Sequence, residues 1–62
     1  MEFTDSEVIF RHFEEETEEL IKLTRIERFV RVRDVATYIY GYDMTEDEIC
    51  DIIDSLLKMH AL

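Results

Sequence analysis

Apolar residues recur along this chain at helical spacing over two long stretches and at a spacing of two over one short stretch between them. In the first stretch Ser6, Ile9, Phe10, Phe13, Thr17, Leu20, Ile21 and Thr24 fall on one side of a helical wheel. Glu7, Arg11, Glu14, Glu15, Glu18, Glu19 and Lys22 fall on the other. A turn of about 100° per residue makes that an amphipathic helix from about residue 5 into the mid-20s. Glu7 with Arg11 and Glu18 with Lys22 stand four apart in the favourable order, worth a few tenths of a kcal/mol each. Val8 lands on the polar side and is a candidate contact residue.

The last stretch repeats the pattern. Ile49, Ile52, Ile53, Leu56 and Leu57 form an apolar face and Asp47, Asp51, Asp54 and Lys58 an outer one, predicting a helix from Thr45 to about residue 59. Its acidic first turn and the Lys58 and His60 near its end suit the helix dipole. Three Thr-x-x-Glu patterns are possible capping boxes, at Thr4/Glu7, Thr24/Glu27 and Thr45/Glu48. The first and third precede strongly periodic segments and are the two expected to form.

The middle alternates. Phe29-Val30-Arg31-Val32-Arg33 is β-branched with a period of two, which predicts a short extended segment. A short helix over 34–40 follows, with Gly41, the sole glycine, at its C′ position. One helix from Thr24 through Tyr40 is the alternative. The fold class expected is mostly α: one domain over residues 1–62, a small three-helix bundle of helix-turn-helix type, with one short extended segment near 29–32.

The segment Val32-Arg33-Asp34-Val35-Ala36-Thr37-Tyr38-Ile39, then Gly41, then Thr45-Glu46-Asp47-Glu48-Ile49 through Leu56-Leu57-Lys58-Met59 resembles the helix-turn-helix of winged-helix regulators. The resemblance covers residues 30–62 and implies a second helix, a tight turn and a third helix whose early residues face DNA. Two features depart from it. The sequence ends at His60-Ala61-Leu62, where a wing hairpin would begin. The positions that would meet DNA are Glu46, Asp47, Glu48, Asp51 and Asp54, and phosphates repel carboxylates. The resemblance therefore supports the fold and speaks against the usual function.

Charge sharpens this picture. The net charge is −9, but it is segregated. Residues 1–19 hold eight acids and one base, net −7; residues 20–42 five bases and two acids, net +3; residues 43–62 six acids and one base, net −5. Glu14, Glu15, Glu18 and Glu19, with Glu16 between them, put five acids in six positions. These and the Asp47/Asp51/Asp54 ridge are either solvated helix faces or a surface for a basic groove, where they would imitate the phosphates of a nucleic acid. Arg25, Arg28, Arg31 and Arg33 could touch phosphates beside Tyr38, Tyr40 and Tyr42, or neutralise the acids of the first and last helices. Tyrosines beside arginines are also frequent interface anchors. The candidate partner-binding residues are thus Glu14, Glu15, Glu18, Glu19, Asp47, Asp51, Asp54, Arg31, Arg33, Tyr38, Tyr40 and Tyr42.

Other chemistry finds little support. Cys50, His12 and His60 lack the spacing of a zinc motif, and Cys50 is expected as a packed core thiol at the edge of the last apolar stripe. Residues 43–48 lack the glycine and terminal glutamate of a calcium loop. Asp54-Ser55-Leu56 is similar to the attachment tripeptide of acyl carrier proteins, which place that serine at the start of a helix; here it lies late in one. No nucleophile–base pair or glycine-rich phosphate loop is present, so no catalytic, cofactor or metal site is expected. One Cys excludes an intramolecular disulfide and no run is long enough to span a bilayer, and from the acidic start no signal peptide is expected. A cytoplasmic location is expected.

A chain of 62 residues sits near the limit of independent stability, so association with another chain is expected. The reading is a non-enzymatic, acidic protein–protein interaction module, a regulator or inhibitor docking on a larger protein with a basic groove, of the kind phages and mobile elements carry. The alternatives are a dimeric DNA-binding regulator using the Arg25–Arg33 segment and a homo-oligomeric structural module. The charge argues against nucleic acid as a partner, and no membrane is implied.

Overall fold

The computed structural model describes residues 5–61. Four helices follow one another: α1 (Asp5–Glu14), α2 (Thr17–Ile21), α3 (Arg25–Tyr38) and α4 (Glu46–Ala61). No strand occurs among the described residues. The mostly α class holds, with four helices in place of three.

The expected long first helix is interrupted after Glu14. Thr17 Oγ1 donates to the carbonyls of Phe13 (2.8 Å) and Glu14 (3.1 Å), and the Glu16 N–H takes the tighter bond to the Phe13 carbonyl (3.1 Å). Side-chain bonding back to the preceding turn competes with the helical ladder. Five acids in six positions add like-charge repulsion along a continuous helix. The break lets Leu20 return to the core with Ile9 and Phe13, all three buried.

α2 has five residues, too few to hold itself together by its own hydrogen bonds. It is held at its C-terminal end by Arg28, whose Nε donates to the Leu20 carbonyl (3.1 Å) and whose guanidinium donates again to that of Ile21 (2.9 Å). A cation on orphan carbonyls satisfies both their hydrogen bonding and the helix dipole.

Residues 29–33 are helical, not extended, and the Thr24/Glu27 capping box that starts α3 is formed in both directions, with Thr24 N–H on Glu27 Oε1 (3.0 Å) and Glu27 N–H on Thr24 Oγ1 (3.2 Å). Burial shows why. A strand would put Val30 and Val32 on one face, whereas Val32 is fully buried and Val30 is 36% exposed. Phe29, Val32, Val35 and Ala36 instead share the helical spacing and reach the core. β-Branching costs a helix only tenths of a kcal/mol per residue, less than burying such residues gains.

α3 ends at Tyr38, with Ile39 as its C-cap, so Gly41 lies one residue beyond the expected C′ position. There it takes φ +67°, and the Tyr42 N–H returns to the Ala36 carbonyl (2.8 Å). The turn drops Met44 into the core and delivers Thr45, whose capping box with Glu48 forms as expected (3.1 and 3.2 Å). The other box expected to form, at Thr4, lies outside the described residues, while the Thr24 box, which is not among those expected, is present.

One core joins the four helices: Ile9, Phe13, Leu20, Val32, Val35, Ala36, Met44, Ile49, Ile52 and Leu56. No buried side-chain nitrogen or oxygen among the described residues lacks a partner. Cys50 is exposed and free rather than packed, because the core takes Ile49 and turns the next residue outward. Val8 is half-buried rather than displayed.

Candidate protein-docking surface

The α1–α2 break decides where the first acidic group points. Glu14, Glu15 and Glu18 rim an open groove of about 330 Å³ together with Thr17 and with Met59 and His60 from the end of α4. Glu19 goes the other way. With Glu16 and Arg31 it rims a second groove of about 270 Å³, floored by Phe13, Leu20 and Leu23. A continuous helix would have put Glu14, Glu15, Glu18 and Glu19 on one stripe; the break distributes them around two depressions that each contain apolar surface. Met59 is 52% exposed in the first of them.

Asp47, Asp51 and Asp54 lie along the outer side of α4, all exposed, opposite Ile49, Ile52 and Leu56. They form a ridge separate from the two grooves. None of the seven carboxylates of Glu14, Glu15, Glu18, Glu19, Asp47, Asp51 and Asp54 makes a hydrogen bond or ion pair with another described residue.

The arginines do not offset these acids. Arg28 is spent on α2. Arg31 pairs with Glu16 at 3.8 Å and Arg33 with its neighbour Asp34 at 3.9 Å, and both are exposed. Among the described residues none of Arg25, Arg28, Arg31 and Arg33 pairs with an acid of α4, so the expected neutralisation of both acidic helices by the middle segment reduces to the one contact on Glu16. Arg31 and Arg33 are two residues apart and therefore emerge about 200° apart around α3, not as one basic face.

The three tyrosines separate as well. Tyr38 is 81% exposed. Tyr40 is bonded across to α1, its hydroxyl 2.9 Å from His12 Nδ1, with the two rings edge to face at 5.6 Å. His12 Nε2 lies 3.4 Å from Glu16, so a chain of polar contacts runs from Tyr40 through His12 and Glu16 to Arg31. Tyr42 is half-buried and turned inward, its hydroxyl donating to Glu48 Oε2 (2.5 Å). Of the predicted Tyr/Arg patch, Tyr42 is turned inward, while Tyr38, Arg31, Arg33 and part of Tyr40 are exposed on separate sides and form no single patch.

The sequence reading missed Glu48 as a hub. Besides capping α4, it accepts from Tyr42 and from Ser6 Oγ (3.0 Å), tying the starts of α1 and α4 to the turn between α3 and α4. The Tyr42 hydroxyl, with the Thr45 N–H and Ser6, holds the Glu48 carboxyl down to about 2. The same bond to Glu48 pushes the Tyr42 phenol up. The Thr24 backbone N–H, then its hydroxyl, lowers Glu27 in the equivalent cap of α3. The capping pattern marked Glu48, but nothing in the spacing linked it to Ser6, 42 residues away.

Among the described residues no group of three His, Cys, Asp or Glu side chains is placed to hold a metal ion, and no helix is long and apolar enough to cross a membrane. Comparison with known protein families, curated proteins and solved structures finds no match.

Proposed function

We propose that this chain is a non-enzymatic docking module that sets its acidic surfaces against a basic surface of a larger protein, regulating or inhibiting it. The observation that carries the reading is that seven exposed carboxylates have no partner among the described residues, while Arg28 is bonded to α2, Arg31 to Glu16 and Arg33 to Asp34. Unpaired like charges on a molecule of net −9 oppose its own compactness and favour a cationic partner. The grooves beside Glu14, Glu15 and Glu18 and beside Glu19 add apolar surface to the charge, which a solvated face does not need. The sharpest form of the reading is imitation of nucleic-acid phosphates in a partner's basic groove. An exposed free thiol at Cys50 suits a reducing, cytosol-like compartment.

The packing of α3 on α4 through the Gly41 turn supports a helix-turn-helix relationship for this pair. DNA binding through Arg25–Arg33 is disfavoured by the loss of Arg28 to α2 and by the spread of Arg31 and Arg33. Titration of the chain into labelled duplex across a salt series tests this. No binding at low salt is expected, and affinity that falls steeply with salt would replace the docking reading with the DNA-binding one.

A further inference from the structure

The fold brings a nucleophile and a base together across 28 residues of sequence. The Tyr40 hydroxyl lies 2.9 Å from His12 Nδ1, and His12 Nε2 lies 3.4 Å from Glu16 Oε2. Each of the three is placed by a different part of the fold. His12 rides on α1 with its ring edge to face on the buried Phe13, centroids 5.1 Å apart. Glu16 sits in the break after α1, where its N–H bonds the Phe13 carbonyl (3.1 Å) and Arg31 approaches the same carboxylate oxygen at 3.8 Å. Tyr40 follows α3, with its N–H on the Val35 carbonyl (3.4 Å) and its ring edge to face on the imidazole. A carboxylate only accepts hydrogen bonds, so Glu16 draws the hydrogen of a neutral imidazole to Nε2 and leaves Nδ1 to accept the Tyr40 O–H.

A hydroxyl on a base that a third group orients is the arrangement of an activated nucleophile. We propose that Tyr40 is a covalent acceptor site for the acyl group of a neutral activated ester, with His12 as its general base and Glu16 positioning His12. None of the seven docking carboxylates takes part, so this role stands apart from the one above. In the step, the phenol oxygen bonds to the acyl carbon and the ester C–O bond breaks. The phenol proton passes to His12 Nδ1 and from there to the departing alkoxide, and nothing is oxidised or reduced. The net charge of −9 selects a neutral donor over a phosphate-bearing one. Tyr40 is 41% exposed, so a donor in solution reaches it. The other tyrosines lack the arrangement. Tyr38 is far more exposed and has no hydrogen-bond partner among the described residues. Tyr42 is turned inward, and the Glu48 carboxylate it meets already receives Thr45 and Ser6.

Treatment of the folded chain with p-nitrophenyl acetate, a neutral ester, tests the inference. The acetylation rate of each tyrosine is read by digestion and mass spectrometry, and hydroxylamine separates phenyl esters from lysine amides. Accessibility alone would label Tyr38 first. Activation by His12 should put Tyr40 ahead of Tyr38 by about tenfold or more, since a positioned general base contributes about 100-fold or more when fully expressed. His12→Phe keeps a ring against Phe13 and removes the base, and should bring Tyr40 down to the Tyr38 rate or below. A purely structural hydrogen bond predicts the opposite sign, because its loss frees the hydroxyl and leaves Tyr40 labelled as fast or faster. Glu16→Gln keeps the shape of the side chain and should slow Tyr40 several-fold against the same Tyr38 reference. Each variant is read with its helicity checked by circular dichroism, and Glu16→Gln alone decides where His12→Phe does not fold. Labelling led by Tyr38 in the intact chain, acetyl groups found only on amines, or Tyr40 labelling that a folded variant fails to slow would overturn the inference.

Discussion

Glu48 shows how much one side chain can hold in a chain this small. It caps α4, receives Ser6 from α1 and anchors Tyr42 in the turn after α3. Its carboxyl is ordinary near 4.5 when free and is held at about 2 in the fold. A depressed folded value contributes stability that is complete above the free value and is lost as pH falls through the folded one. Resistance to urea should therefore fall progressively from about pH 4.5 toward pH 2, and Glu48→Gln should flatten that slope; an unchanged slope would remove Glu48 from its role. Glu27 acts in the same direction. Gly41 supports a second prediction. A Cβ there would meet nothing within 4 Å, so Gly41→Ala should cost only its left-handed backbone, about 1–2 kcal/mol by chemical denaturation. The Thr45/Glu48 cap and the reversal at Gly41 are legible in the sequence because caps and reversals are local; the Thr24/Glu27 box is visible as a pattern but stands before a segment whose alternation points away from a helix. The Ser6 and Tyr42 partners of Glu48 are not legible, because they depend on how α1 meets α4.

The elements were legible in proportion to their independence from one another. α4 has a cap, an acidic first turn and an unbroken apolar stripe, and its observed limits differ little from those predicted. Over 29–33 the sequence carries two signals, a short alternation that favours an extended segment and the Thr24 cap with the spacing of Phe29, Val32, Val35 and Ala36 that favours a helix, and burial of the latter set decides for the helix. The first helix was read as continuous because its periodicity survives the break: Ile9, Phe13 and Leu20 are all buried on either side of it. Nothing in the periodicity announces that Thr17 bonds back to Phe13 and Glu14. Arg28 connects the two errors, since a helical α3 is what brings its guanidinium to the end of α2. Arg28→Met keeps the aliphatic stem and removes both carbonyl bonds, and should destabilise the fold by about 1.5–3 kcal/mol, the range for hydrogen bonds from a charged group. Hydrogen exchange should rise first at the amides of α2; uniform acceleration across the chain would contradict the assignment.

As a whole the molecule combines an apolar core with a surface on which Glu14, Glu15, Glu18, Glu19, Asp47, Asp51 and Asp54 have no partner among the described residues. The segregation of charge is plain in the sequence, but its consequence is not, because whether the middle arginines neutralise the acids depends on the fold, which commits Arg28 to α2. Uncompensated charge has a stability signature. Raising the salt from about 0.01 M, where the Debye length is about 30 Å, to about 0.15 M should raise the melting temperature, and changing Asp47, Asp51 and Asp54 to Asn should reduce that gain. A melting temperature that falls with salt would mean the acids are paired after all. The docking claim itself is tested most directly by affinity capture from the source cell extract. The intact chain is compared with a variant carrying Gln at Glu14, Glu15, Glu18 and Glu19 and with the variant carrying Asn at Asp47, Asp51 and Asp54, each first shown to be folded. The account predicts a basic protein retained by the intact chain at low salt and lost from at least one variant. Equal recovery by all three chains, or no specific protein retained by the intact chain, would contradict it.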